Sequence, residues 1–402
     1  MGEYGISQSL SRFEDPRLLK GGGDYIDDGN ENSQLYGVVV RSPHSHAEIA
    51  SIDVSKARDL DGVVGVYTGR DYQEAGWGAI PHIGPAVKRR NGADLIVPDF
   101  YPLALDRVRM VGEGVAFVVA ETEIQARDAA ERVITNYVPL QGSADTMTAL
   151  EPDTSVLWPD IGDNEALVHE IGDKSATERA FALADHVIEQ RFTINRVLGN
   201  AMEIRACLAI YDARSDHYTL RAPVQHPWLV RKILASSVIG IDELQVRVVA
   251  PDVGGSFGIK ANVYPEYLLA LFAANRTGRP VKWVGERTEA FLSDFHARDN
   301  VADAALALDT EGNFLGFRLR NIVNIGAYFS PLGSGPATNN LGTLSGVYTT
   351  PAAHVEVVGV FTNSHPTAPY RGAGRPEAAF IIERIIDSAA DELGFDPAEL
   401  RR

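Results

Sequence analysis

The stretch Asp252-Val253-Gly254-Gly255-Ser256-Phe257-Gly258-Ile259-Lys260 constrains this chain more than any other. Before it, Leu244 to Ala250 (LQVRVVA) alternates and is β-branched, which predicts a strand. After it, Tyr264 to Arg276 (YPEYLLALFAANR) carries Leu268, Leu269, Leu271 and Phe272 at helical spacing and closes at Gly278. A glycine-rich turn between strand and helix offers a ligand two things. Gly254, Gly255 and Gly258 have no β-carbon, so backbone can come close to it. The unpaired N–H groups of a helix start then face an anion or an electron-rich ring. The same glycines also suit a tight turn that only connects two elements, and on the glycines alone both readings stand.

Composition narrows the partners. A chain of 402 residues suggests two or three domains at roughly 150 residues each. The formal charge of −17, with no basic cluster to offset it, argues against nucleic acid or an anionic membrane as the main partner. Cys207 is the single cysteine, which excludes a disulfide framework, an iron–sulfur cluster or a structural zinc site built by this chain. It lies in the apolar run RACLAIY and reads as a buried, inert thiol. MGEYGISQSLSRFEDPR lacks the layout of a secretory signal and no apolar run reaches spanning length, so the expectation is a cytoplasmic protein.

Residues 1–17 read as an irregular tail. Strands are expected at Leu35 to Arg41, Ala47 to Val54, Val63 to Thr68, Leu103 to Arg109 and Val115 to Ala120, with a helical turn at Ser55 to Arg58. The tract from Asp71 to Asp99 has no assignable pattern. Thr122-Glu123-Ile124-Gln125 has capping-box spacing and opens a helix with Ile124, Ala126, Ala130, Val133 and Ile134 on one face. Strands and helices interleaved over residues 18–145 predict one α+β domain. The polar, proline-bearing residues 146–165 read as a linker to a second domain at 166–402. There, a helix at Ala176 to Ala184 precedes strands at His186 to Ile194, Leu208 to Tyr211 and Tyr218 to Ala222, and Leu229 to Ile239 is a helix closed by Gly240. Phe314 to Ala327 and Ala353 to Thr362 are strands, and Tyr328 to Tyr348 is a long loop. Ala378 to Leu393 is a helix with Phe380, Ile381, Ile385 and Ile386 inward.

Several side chains admit a chemical and a bland reading. His44 and His46 invite a metal, but they alternate across an extended chain with no third ligand nearby. Glu113 reads as a solvated turn residue, and Glu203 with Arg205 as an ordinary ion pair. Gln225 stands between a strand and a helix, where its amide offers donor and acceptor or merely caps a loop; His226 beside it has no clear role. Gly254-x-Ser256-x-Gly258 also satisfies the nucleophile elbow of α/β hydrolases, with Asp294, Asp299, His354 and His365 as downstream partners for Ser256.

Three stretches together resemble one family. Asp252 to Lys260 is similar to the glycine-phenylalanine-glycine segment of the large subunit of xanthine oxidase family molybdenum hydroxylases. Pro369-Tyr370-Arg371-Gly372-Ala373-Gly374-Arg375-Pro376-Glu377-Ala378 resembles that family's second cofactor segment, and Glu286 to Asp299 (ERTEAFLSDFHARD) is similar to a stretch between them. RSPHSHA and VGEGVAFVVAE resemble the family's hammerhead domain. The resemblance implies an α+β chain: an α/β hammerhead followed by the first half of a molybdopterin-binding domain. It implies molybdopterin, expected as the cytosine dinucleotide form, with molybdenum held by the dithiolene rather than by side chains. Phe257 and Gly258 would offer backbone amides to the cofactor, with Gly255 and Ser256 beside them. Gln225 would meet an oxo ligand, and Arg371, Gly372 and Ala373 would approach from the second segment.

The same resemblance implies an oxidoreductase whose electrons leave through [2Fe–2S] clusters to FAD, both on partner subunits. The family's catalytic glutamate lies in a later half that this sequence does not include; the expectation is a second molybdopterin-binding subunit that supplies it, with a truncated product as the other choice. Gly372 stands where CO-oxidising members place a cysteine, and Ala261 and Ala373 where purine-oxidising members carry glutamate and phenylalanine. An aldehyde or an N-heterocycle is therefore the expected substrate. The competing readings are a hydrolase using Ser256 and a non-catalytic assembly subunit.

Overall fold

The run Gly114–Ala120 (GVAFVVA) is apolar at every position and buried along its whole length. In the structure, a computed structural model describing residues 9–338 and 345–402, it pairs antiparallel with Leu35–Arg41 on one side and Val63–Thr68 on the other. These belong to a seven-stranded mixed sheet in the order Val246–Val249, His217–Arg221, Ala206–Asp212, Val281–Val284, Leu35–Arg41, Gly114–Ala120, Val63–Thr68. Leu35 and Tyr36 pair parallel with Val281 and Lys282, so one continuous sheet draws strands from near the start of the chain and from its middle. The helix Pro265–Thr277 packs against it, buried from Glu266 to Ala274. A helix apolar on every side must lie between layers, and Pro265 at its first turn with left-handed Gly278 at its end fix its length.

A second, five-stranded sheet has the order Glu165–Gly172, Ala352–Phe361, Phe314–Gly326, Asn300–Leu308, His186–Ile194. The amphipathic helix Arg375–Leu393 lies on it through Ile381, Ile382, Ile385, Ile386 and Ala389. Arg107–Val108, Ala47–Asp53 and Ile134–Pro139 form a small third sheet. The class is α+β. Between residues 141 and 165, Ala149, Leu157 and Ile161 are buried and Trp158 Nε1 donates to Ala327 O.

Several elements differ from the sequence expectation. Of Leu103 to Arg109 only Arg107–Val108 pairs; Leu103 and Ala104 bury their side chains without a ladder beyond Ala104 N–H to Gly114 O. The expected helix at 229–239 is α-helical over Pro227–Lys232 and widens to a π-helical turn over Ile233–Ile239. The wide turn frees Val238 O for the N–H of Gly78, which docks so close that a β-carbon there would lie 2.3 Å from Ser237 O. Phe380 is 44% exposed and meets only the edge of Phe192. Ile124 faces solvent, and the chain has left the helix before Ile134, which opens a strand. Glu165–Gly172, Val281–Val284 and Asn300–Leu308 are strands that the pattern did not expose. Of the expected loop Tyr328 to Tyr348, residues 339–344 lie outside the described residues, as do residues 1–8 of the expected tail. Among the described residues no helix is long and apolar enough to cross a membrane.

Candidate functional site

Three separate stretches of sequence meet at one place. The glycine segment leaves the strand Val246–Val249 and turns through Gly255, Phe257 and Gly258, with φ of +102°, +53° and +99°. Phe257 pays for a left-handed backbone that L-residues avoid. At Gly258 a β-carbon would come 2.6 Å from Pro369 O, so only glycine lets the second segment pass. Arg371 N–H donates to Phe257 O at 2.8 Å, which locks the two segments together. The second segment then turns left-handed through Gly372 (+93°), Ala373 (+46°) and Gly374 (+97°) into the helix Arg375–Leu393. Gln225 closes the third side: its N–H donates to Lys260 O at 2.9 Å, and its Oε1 accepts from Ser256 Oγ at 2.7 Å.

The consequence is a run of unspent donors. The amides of Gly255, Ser256, Phe257, Gly258 and Gly372 donate to no acceptor among the described residues, nor does Gln225 Nε2. Successive left-handed and right-handed residues turn such N–H groups to one side, a concave cradle for an anion. Phe257 and Arg371 are exposed, with the Arg371 guanidinium 6.0 Å from the Phe257 ring centroid. All eight residues expected at the site thus lie on these converging loops. A polyanionic ligand with ring acceptors fits such a cradle, which offers N–H groups and one arginine rather than carboxylates.

Charge pairs, one at the surface and the others buried, underpin the cradle. Arg17 grips Asp252 with two bonds of 2.6 and 2.8 Å, and Asp24 N–H adds a third; these hold the Asp252 carboxyl at about 2. Glu203 Oε2 accepts from Gly254 N–H at 2.7 Å and from Lys260 Nζ at 2.9 Å. Burial pulls the Lys260 ammonium below its usual range, and Glu203 works against that shift. Arg205 does not pair with Glu203, contrary to the sequence expectation. It is fully buried, bonded to Glu266 and Asp294, with its guanidinium 3.8 Å from the Tyr264 ring centroid. Arg41 joins from the other side to Glu266 and Glu289.

Other expectations change with burial. Glu113 is not solvated: it is 4% exposed and accepts from Tyr328 Oη and Arg109 N–H, both at 2.6 Å. Burial raises its pKa against those two donors. His46 is held by Gln141 O, His44 packs against Tyr137, and no metal-ligand cluster occurs among the described residues. His226 packs against Trp228. Ala261 is buried, whereas Ala373 is partly exposed. No triad forms around Ser256 among the described residues. His354 sits in the strand Ala352–Phe361, and the His365 ring lies 4.6 Å from that of His296. Sequence reasoning missed Arg17, Glu203 and Lys260 as supports; the acidic residue that opens the glycine segment was the available signal.

Comparison with known proteins gives this arrangement a family. The family model "Molybdopterin cofactor-binding domain" matches residues 128–402, and "Aldehyde oxidase and xanthine dehydrogenase, a/b hammerhead domain" matches residues 20–141. The chain belongs to the xanthine oxidase family of molybdopterin-binding large subunits, of the CO dehydrogenase and aldehyde oxidoreductase type. It is 35% identical over 413 residues to the carbon monoxide dehydrogenase large chain of Afipia carboxidovorans, covering 99% of this chain and 49% of that one. It is 36% identical over 398 residues to the 6-hydroxypseudooxynicotine dehydrogenase complex subunit gamma of Paenarthrobacter nicotinovorans, with 99% and 49% covered. The chain thus spans about half the length of these curated relatives. The nicotinate dehydrogenase large molybdopterin subunit of Eubacterium barkeri differs in this respect: it is 28% identical over 369 residues, and 81% of it is covered. Among solved structures, reconstituted CO dehydrogenase from Oligotropha carboxidovorans superposes with a TM-score of 0.92 at 35% identity, covering 99% of this chain and 50% of that one. Quinoline 2-oxidoreductase from Pseudomonas putida 86 gives 0.87 at 34% identity, covering 98% and 49%.

Proposed function

We propose that this chain holds one side of the molybdopterin in a cytoplasmic, multisubunit molybdenum hydroxylase that oxidises an aldehyde or an N-heterocycle. The observation that carries the reading is the convergence of Gln225, Phe257–Gly258 and Arg371–Gly372 around unspent backbone donors. When bound, the cofactor, in its cytosine dinucleotide form, supplies two-electron oxidation at an electron-poor carbon. The residues of this chain bind and orient. The Phe257 and Gly258 amides donate to acceptor atoms of the ligand, with Gly255 and Ser256 completing the curve. Ser256 Oγ occupies Gln225 Oε1 and so leaves Nε2 aimed as a donor. Arg371 sets a fixed positive charge near the Phe257 ring, Gly372 keeps the approach open, and Ala373 supplies the turn.

A second molybdopterin-binding polypeptide brings the glutamate base, and separate subunits carry [2Fe–2S] clusters and FAD. The relative from Eubacterium barkeri supports this division, because its large molybdopterin subunit is itself mostly covered by this chain. The small residues Gly372 and Ala373 support a substrate larger than carbon monoxide and unlike a purine.

The test is the molybdenum and pterin content of the chain purified with its complexes intact. The expected result is near one of each per chain, together with a second polypeptide, iron and flavin, and turnover of aldehydes or pyridine-type rings. A folded, solitary, metal-free chain would overturn the catalytic assignment in favour of an assembly role. Turnover of xanthine but not of aldehydes or pyridine-type rings would overturn the substrate class.

A further inference from the structure

The stretch from Glu286 to Asp299 contributes no group to the cradle, yet its two ends hold the cradle's two halves. At one end, Arg287 opens the helix Arg287–Ser293, with Glu286 as its cap. Its guanidinium donates to Asn200 Oδ1 at 2.6 Å, Ala201 O at 2.7 Å and Met202 O at 2.9 Å. That loop is the floor of the glycine segment. A β-carbon on Gly254 would lie 2.4 Å from Glu203 Cβ, one on Gly255 3.3 Å from Ala201 Cβ, and Glu203 N–H donates to Gly254 O at 3.1 Å.

At the other end, Arg298 donates to Arg371 O at 2.9 Å and to Glu377 Oε2 at 2.7 Å. The same Glu377 oxygen accepts from Gly374 N–H at 3.1 Å, so one guanidinium grips both the arginine of the second segment and the cap of its helix. Arg298 and its neighbour Asp299 both have left-handed backbones, with φ of +66° and +68°. Two adjacent non-glycine residues in that region persist only when their surroundings over-determine them, as at ligand clamps. Main-chain bonds between His296 and Pro366 and between Ala368 and His296 tie the stretch to the second segment again. Arg298 is buried to about its last exposed edge, with 12% of its side chain accessible, and its ion pair with Glu377 is shielded from solvent.

We propose that Arg287 and Arg298 are positioning residues: they fix the spacing between the two backbone cradles, and thereby how tightly the cofactor is retained. The inference rests on the molybdopterin reading above and assigns neither residue a contact with the ligand. Each arginine presents several donors in a rigid fork to carbonyls, and a lysine cannot reproduce this geometry.

The experiment uses the assembled complex carrying Arg287→Gln, Arg298→Gln or Arg298→Lys. It follows pterin release on dialysis well below the unfolding temperature, molybdenum per chain, and Tm. Loss of a charge-assisted bond at either end is expected to speed pterin release about tenfold, while Tm stays within a few degrees of the parent. Arg298→Lys, which reaches one acceptor instead of two, is expected to fall between. If Arg298→Gln does not assemble, Arg298→Lys decides: faster release at unchanged Tm upholds the proposal. Unchanged release in the folded variants overturns it while a pterin-loaded parent leaves the proposed function standing. Release that rises only in step with a falling Tm also overturns it, because that is the signature of a purely structural brace. A parent without pterin overturns the functional reading and this inference together.

Discussion

At Gly258 a positive φ, the crossing of Pro369 and an unspent amide coincide. Gly258→Ala is expected to cost about 2 kcal/mol or more, from left-handed strain plus displacement of Pro369 O, and to shed pterin; denaturant unfolding and pterin content measure both. Ser256 spends its hydroxyl on Gln225 with no histidine hydrogen-bonded to it among the described residues, so a serine-directed phosphonate is expected to leave it unlabelled, as mass spectrometry of the treated protein would show. Deeper in, the Glu266 carboxylate is pushed up by burial but pulled further down, to about 2, by Arg205 and Arg41. Glu266→Ala leaves two buried guanidiniums short of a partner and is expected to cost about 3–5 kcal/mol by urea melt. Legibility at this scale differed by residue. Gly258 was readable as a position where backbone must come close, whereas Phe257 and Arg371 were expected at the site only through the family resemblance. Glu113 and Glu203 were not readable: Glu113 in a glycine-rich turn looks solvated and Glu203 looks paired with nearby Arg205, until Tyr328 and Lys260 are brought in from far along the chain.

Among elements, the helix Pro265–Thr277 was legible from its apolar run and its proline and glycine ends. Val281–Val284 was not: four residues carry too little alternation, and the strand exists because a slot in the sheet awaits it. The joint between the Glu286–Asp299 stretch and residues 363–368 holds the adjoining, mutually tilted rings of His296 and His365, flanked by Arg196, Arg41 and Asp299. Burial first, then neighbouring positive charge, lowers their pKa values to about 4 and about 3. The unfolded chain takes up these protons near pH 6.5 and the folded one does not. Their contribution is therefore complete above about pH 6.5 and erodes as the pH falls below that toward the folded values near 4 and 3, by about 2–3 kcal/mol per ring at pH 4.5. Thermal melts from pH 7.5 to 4.5 are expected to show Tm falling across a window where Glu266 is still silent. Replacing both rings with glutamine is expected to flatten that slope.

For the molecule as a whole, the informative feature is the seven-stranded sheet, which runs through both family models. The family resemblance and the polar stretch 146–165 divide the sequence into a hammerhead and a molybdopterin-binding part, but neither carries a trace of which strands become neighbours. A fragment spanning residues 9–141 would strip Leu35–Arg41 of its partner Val281–Val284 and bare an edge in the middle of a buried sheet. It is expected to show no cooperative thermal transition, whereas the full chain melts in one. The same pairing imposes an order of events during synthesis. Leu35 and Tyr36 leave the ribosome long before Val281 and Lys282 exist, and contacts this distant in sequence form late. The first strands must therefore wait, half-paired and aggregation-prone, until the glycine segment and the helix after it have been made. The cradle is completed later still, when Arg371 arrives, so its two halves cannot meet until the second segment has been translated.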